Sequence, residues 1–165
     1  MKYRSLVLSL ALMFLLVAGI SCSSVDCPMN SLVYTQYAVC NADGSTATLQ
    51  DTLTISTNRA DGNDSVLINR DVNISGFSLP ISYSMPEDSF FIALKDTLLR
   101  ETLDTLVVSK QDLPHFESPE CAPAYFHKIT AVSCTHHGID SVAINYPDVN
   151  YDTSKKHLYI YFSPR

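Results

Sequence analysis

The chain has no tryptophan, only five glycines in 165 residues, and a single long apolar run at its start. Elsewhere apolar residues never recur at helical spacing over three turns, which argues against a helical fold. A Gly-x-Ser-x-Gly nucleophile elbow and a glycine-rich phosphate loop are both missing, which argues against two common enzyme classes. Without tryptophan, the chain also lacks the best aromatic platform for glycan binding.

The N-terminus has the anatomy of a bacterial lipoprotein signal. Lys2 and Arg4 precede an apolar run over residues 6–20, and Ser21-Cys22 follows it. This pattern predicts a signal peptide over residues 1–21, cleaved before Cys22, which then carries the lipid. The alternative is an ordinary secretory signal that leaves Cys22 as a thiol. Two or three acyl chains, palmitate among them, suffice for stable attachment to a membrane.

Signal removal defines the remaining organisation. We expect residues 22–30 to form a lipidated tether and residues 31–165 to form one domain. The loss of Lys2 and Arg4 changes the formal net charge from −6 to −8. A domain this acidic binds nucleic acid and anionic lipid poorly, so the lipid is the predicted membrane contact. Asp26 is the one acidic residue just after Cys22, which favours the periplasmic side of the outer membrane over surface export.

Alternation of apolar and polar residues predicts β-strands along the mature chain. Turn-forming clusters rich in Asn, Asp, Gly and Pro separate the alternating segments. Residues 110–120 are interpreted as a crossing loop. The fold class expected is an all-β, Ig-like antiparallel β-sandwich. The predicted strands are 31–40, 48–57, 64–69, 72–83, 89–95, 97–109, 122–133, 139–145 and 156–163.

Five cysteines are present, and assigning Cys22 to lipid leaves four. An even number in an oxidising compartment implies two disulfides. The remaining thiols, Cys27, Cys40, Cys121 and Cys134, form two pairs of equal spacing. Residue chemistry alone leaves three pairings open: two that staple distant segments and one that joins near neighbours.

The ordered motifs resemble short lipoproteins of unknown function from the Bacteroidota, grouped as a domain-of-unknown-function family. The resemblance rests on Cys27, Asp51–Ile55, Ser78-Leu79-Pro80, Glu120-Cys121 with Tyr125-Phe126, Gly138–Val142, Asn145–Val149 and His157–Phe162. It implies that Cys27 pairs with Cys121, and that Cys40 and Cys134 form an additional pair. No activity is assigned to that family, so the resemblance implies location and fold only.

Residues able to do chemistry are sparse. Cys134-Thr135-His136-His137 is the densest group of zinc-ligand types. We expect no metal there, because an oxidised Cys134 cannot ligate and adjacent strand residues point to opposite faces. A cysteine nucleophile needs a free thiol, and two disulfides leave none. The sequence therefore predicts a protein that is not an enzyme and has no cofactor or metal.

Five Asp-Ser/Thr-aliphatic triplets resemble the O-glycosylation acceptor motif of exported Bacteroidota proteins. Such triplets also begin alternating strands after turns, so the motif has a structural explanation as well. We expect at least one hydroxyl to be modified. The candidates are Thr52, Ser65, Thr97, Thr105 and Ser141.

The last strand offers the one candidate contact surface. Alternation places Leu158, Ile160 and Phe162 on the core side, with His157, Tyr159 and Tyr161 on the other side. The leading functional hypothesis is an accessory or structural envelope component that contacts an unidentified envelope protein. The alternative is a lipoprotein that binds a glycan or another ligand.

Overall fold

The computed structural model describes residues 32–58 and 64–163, together with Tyr3 and Cys27. Ten strands form in these ranges, and the alternating segments produce them because one face of each strand can be buried. The strands are β1 (Tyr34–Cys40), β2 (Thr52–Asn58), β3 (Asp64–Asp71), β4 (Gly76–Pro80), β5 (Glu87–Lys95), β6 (Glu101–His115), β7 (Ala124–Cys134), β8 (Ile139–Ile144), β9 (Asp148–Val149) and β10 (Leu158–Phe162).

Two sheets pack face to face as a β-sandwich. One has the order β4-β1-β10-β8, and the other has the order β3-β2-β5-β6-β7-β9. The core between them is built from fully buried side chains of both sheets, including Tyr37, Ile160, Leu53, Ile92 and Leu106. The expectation of a purely antiparallel arrangement is wrong at one place, since β1 and β10 pair in parallel at the centre of the smaller sheet.

Each of the nine predicted strands overlaps an observed one, and β9 was not predicted. The predicted crossing loop over residues 110–120 is wrong in its first half, because β6 continues to His115. These residues pair with Ala124–Ile129 of β7 after a register shift between Ser109 and Lys110. The extension of β6 and β7 is what positions the candidate site.

The predicted signal peptide, Cys22 and most of the tether lie outside the described residues. Among the residues that the structure describes, no helix is long and apolar enough to span a membrane. Cys27 is the described part of the tether.

The last strand differs from the expectation in one residue. Leu158 and Ile160 are fully buried, as an aliphatic core side requires, but His157 is fully buried too. Its Nδ1 accepts a hydrogen bond of 2.8 Å from the main-chain N–H of Gln36. Because β10 lies between β1 and β8, His157 joins the packing between strands instead of an exposed surface.

Candidate functional site

A buried polar cluster lies where β6 and β7 extend beyond the rest of their sheet. Lys110 has a fully buried side chain whose ammonium donates to Met85 O at 2.5 Å and to Asp112 Oδ1 at 3.2 Å. The same Oδ1 is 2.6 Å from His127 Nδ1. Asp88 completes the cluster, with Oδ2 3.7 Å from Lys110 Nζ. Buried charges are tolerated only when they are paired in this way.

Two buried hydroxyls border the cluster without a hydrogen-bond partner among the described residues. They are Tyr37 Oη and Ser82 Oγ. Burial raises the pKa of Tyr37, and the negative charge of Asp88 raises it further, which places the ring close to that carboxylate. The main-chain N–H of Ser82 donates to Asp88 Oδ2 at 3.1 Å. Buried polar atoms are nearly always satisfied in folded proteins, so orphaned hydroxyls mark a place where a partner is expected.

His127 is held in one orientation by its neighbours. Burial lowers its pKa below the usual 6.5, and this outweighs the opposing effect of Asp112. The imidazole is therefore neutral at pH 7. An ionised carboxylate can only accept hydrogen bonds, so we assign the ring proton to Nδ1, which leaves Nε2 as an acceptor.

A pocket of about 340 Å³ opens beside His127. Its walls are mainly apolar, and two of them are aromatic. Tyr83 and Tyr125 stack in parallel with ring centroids 5.1 Å apart. The lining residues are Leu32, Val33, Ile81, Tyr83, Ala122, Pro123, Tyr125 and His127. An apolar concavity with one oriented polar group has the anatomy of a small-molecule site.

The disulfide lies next to this pocket. Cys27 is bonded to Cys121, 94 residues away, and Cys121 directly precedes the wall residues Ala122 and Pro123. The bridge thus fastens the tether to one side of the pocket. The second expected bridge is not formed, since Cys40 and Cys134 are both free thiols.

A larger depression of about 490 Å³ lies near the other end of β1, beside the 41–51 loop. Its acidic lining residues, Asp51 and Asp140, both reach solvent. Because it lacks a buried charged cluster, we place the candidate site at the smaller pocket instead.

The free thiols do not form a catalytic centre. Cys134 Sγ lies 3.9 Å from His136 Nδ1, but that nitrogen is also 2.8 Å from Asp140 O. A carbonyl accepts only, so Nδ1 carries its proton and cannot act as a base toward the thiol. Burial raises the pKa of Cys134, and the nearby carboxylates raise it further, which disfavours the reactive thiolate. Among the described residues, no group of three or more His, Cys, Asp or Glu side chains is arranged to hold a metal.

Asp104 is a second buried carboxylate that the sequence interpretation missed. Its oxygens accept hydrogen bonds from the N–H groups of His137, Gly138 and Ile139, at 2.6–3.0 Å. Thr135 Oγ1 donates another, at 2.7 Å. Burial alone would raise the pKa of Asp104, but these donors outweigh it and hold the pKa below its usual range. Asp104 therefore fixes the β7–β8 connection.

The remaining predicted site residues lie away from the pocket. Thr97 is exposed in the β5–β6 turn, and the other four candidate acceptor hydroxyls, at Thr52, Ser65, Thr105 and Ser141, are half-buried in strands. Tyr159 and Tyr161 are half-buried on β10. The structure does not bring them together with Lys110, Asp112 and His127. One sequence signal pointed to the cluster: Lys110 and Asp112 are two charges at strand spacing, on one face.

The model of a family of unknown function, DUF6452, matches residues 52–162. The chain belongs to this family. The DUF6452 match includes β2 to β10, and with them Asp88, Lys110, Asp112 and His127 of the cluster. Cys27 and β1 lie outside the matched residues of this DUF6452 protein. No curated protein and no solved structure matches the chain.

Proposed function

We propose that this protein is a lipid-anchored binding protein of the bacterial cell envelope that takes a small ligand into the pocket beside His127. The observation that carries the proposal is the Lys110–Asp112–His127 chain, in which Lys110 and His127 are buried and His127 lines an apolar-walled cavity. Burial lowers the pKa of His127, and a titratable side chain perturbed in this way and lining a pocket is typical of functional sites.

The anchor is the second part of this proposal. Its support is the basic, apolar and small-residue sequence that ends at Cys22. We propose lipidation at Cys22, a location at the outer membrane facing the periplasm, and an Ig-like class for the sandwich. Cys22→Ala is expected to release the protein from membranes or to block its processing. Unchanged membrane fractionation with the same mature N-terminus contradicts the anchor.

We propose binding without catalysis. Among the described lining residues of the pocket there is no serine, cysteine or lysine that His127 would activate as a nucleophile. The Nε2 acceptor is suited to fixing the orientation of a bound hydroxyl or amide.

Protein contact is the second candidate function, and the β5–β6 turn favours it. Leu98 and Leu99 are each 72% exposed there, at the end of β5 and β6 opposite the pocket. Asp96 orders the turn by accepting from the N–H groups of Leu98 and Arg100. An ordered turn that presents two exposed leucines is suited to fill an apolar recess of a partner protein.

A thermal-shift screen of the full chain in detergent tests the binding function. Ligands that bind only the folded state raise the unfolding temperature. We expect hits that stabilise the wild type and Tyr146→Ala but not Tyr83→Ala. Tyr146 is the matched control, because it is an exposed tyrosine outside the pocket. A screen without hits, or hits retained in Tyr83→Ala, contradicts the pocket.

A further inference from the structure

The charges in and around the pocket favour an uncharged ligand. None of the described lining residues is Lys, Arg, Asp or Glu. Next to the lining residue His127, one ammonium on Lys110 faces the two carboxylates of Asp88 and Asp112. The excess of negative charge repels an anion, and no lining cation offsets that repulsion.

The aromatic geometry disfavours a cationic ligand. Aromatic cages surround an ammonium group with ring faces in several orientations. Tyr83 and Tyr125 are instead parallel to within 9°, and they form a stacked pair. The facing surfaces of a stacked pair cover each other, so a ligand meets an outer ring face, which suits a ring with an apolar face of its own.

The polar part of the site requires a hydrogen-bond donor on the ligand. His127 lines the pocket and its Nδ1 is occupied by Asp112, so Nε2 is the remaining acceptor of the neutral ring. The phenol groups of Tyr83 and Tyr125 supply hydroxyls that donate or accept. At about 340 Å³ the pocket is near the lower end of small-molecule sites, which span roughly 300–1,000 Å³.

We infer that the pocket binds an uncharged sugar ring, which stacks an apolar face on the tyrosine pair and donates a hydroxyl to His127 Nε2. This inference rests on the proposed binding function and names its ligand class. A sugar combines hydroxyl donors with an apolar ring face and carries no charge, as the three features above require.

The disulfide limits how far the pocket can lie from the proposed lipid anchor on Cys22. Cys27 follows Cys22 by five residues, so the bonded tether spans at most about 18 Å of extended chain. A pocket bordered by Cys121 is thereby kept near the membrane surface. The sugar therefore comes either from a glycolipid headgroup or from a free glycan beside the membrane.

Titration of the full chain in detergent micelles with three matched sugars tests the ligand class. Methyl glucoside is neutral, glucose 6-phosphate is anionic and glucosamine is cationic. We expect the neutral sugar to bind and to shift the His127 imidazole NMR signals, and the anionic sugar to bind about tenfold more weakly. Equal or tighter binding of either charged sugar overturns the inference.

Variants separate this inference from the binding function itself. Tyr83→Ala is expected to weaken methyl glucoside binding about tenfold, and the control Tyr146→Ala to leave it unchanged. Unchanged affinity in Tyr83→Ala overturns the sugar site. A different result separates the two claims. If methyl glucoside does not bind, but Tyr83→Ala abolishes the thermal shift caused by a compound that is not a sugar, then the pocket binds a ligand and that ligand is not a sugar.

Vesicles distinguish the two sources of the sugar. The His127 NMR signals are followed while the protein is titrated with plain phosphatidylcholine vesicles, with the same vesicles containing a monogalactosyl diglyceride, or with free methyl galactoside. A shift caused by the galactolipid vesicles and not by plain vesicles identifies the headgroup as the source. A shift caused by the free sugar alone identifies a free glycan. No response of the His127 signals to either sugar form contradicts the inference.

Discussion

Asp104 and Asp112 are on the same strand, eight residues apart, yet their surroundings differ. Asp104 is fully buried and accepts hydrogen bonds from three main-chain N–H groups and from Thr135. Asp112 is one-quarter exposed and has only side-chain partners, Lys110 and His127. The first carboxylate holds the backbone in place, whereas the second holds an imidazole beside a pocket.

The difference shows how burial of charge serves two purposes in one domain. Main-chain donors cannot be removed by substituting a partner and do not titrate, so most of the Asp104 arrangement persists even if the side chains of Thr135 and His137 are changed. The side-chain partners of Asp112 can be replaced one at a time, so its arrangement is open to substitution. The predictions below test this contrast.

The largest effect is expected for Asp104→Ala. Its removal leaves three N–H groups of the β7–β8 connection without an acceptor, and we expect unfolding free energy to fall by about 3–5 kcal/mol. Urea denaturation measures it, with Asp71→Ala as control, because Asp71 is exposed. A loss no greater than that of the control contradicts a structural role for Asp104.

Lys110→Met is expected to destabilise less, by about 2–3 kcal/mol, because Asp88 and Asp112 are partly exposed and regain water. The sharper readout is the pKa of His127. The Lys110 charge lowers that pKa, so it should rise in the variant. Imidazole NMR titration measures it, and an unchanged or lower pKa shows that the two groups are not coupled.

Asp112→Asn should have a smaller effect on stability, about 1–2 kcal/mol, since an amide still accepts one hydrogen bond. The pKa of His127 should move in the opposite direction. Asp112 raises it, so loss of the negative charge lowers it further. A raised pKa in this variant means that Asp112 does not orient the imidazole as described.

The last prediction is a pH dependence of stability. Burial is the largest cause that lowers the pKa values of His127 and His157 below 6.5. Well above pH 6.5 both rings are neutral in the folded and the unfolded chain, so these two histidines do not lower the unfolding free energy. As the pH falls below 6.5 the unfolded chain binds protons first, so unfolding free energy decreases by at most about 1.4 kcal/mol per pH unit per histidine.

Denaturant midpoints at pH 7.5 and 5.5 measure this slope. His157→Gln should make it shallower, because one of the two titrating groups is gone. A slope that is unchanged in this variant would assign the pH dependence to other groups.

The sandwich could be predicted from alternation, but the candidate site could not. Strands such as β5 bury Phe90, Ile92 and Leu94 at period two, so their pattern is clear. In β6 the period continues through Leu106 and Val108, and then Lys110 and Asp112 take the inward positions. These charges make the segment look like a loop, because its burial depends on partners from β5 and β7. The residues that build the site are the ones that break the pattern.

Long-range contacts account for the other differences. Residue chemistry left the cysteine pairing open, and the structure bonds Cys27 to Cys121 while Cys40 and Cys134 stay free. His157 has a polar side chain just before β10, and the N–H of Gln36 in β1 makes its burial favourable. Local sequence carries no information on either contact.

The parallel pairing of β1 with β10 has a consequence for synthesis. The six-stranded sheet joins strands that are mostly consecutive, so most of it can assemble while the chain is still growing. The smaller sheet cannot be completed early, because β10, the strand that pairs with β1 at its centre, lies more than a hundred residues later in the chain. Until residues 158–162 emerge, the inner edge of β1 is unpaired, and an open strand edge attracts other chains. The inner edge of β1 is therefore closed only when the last strand of the domain is in place.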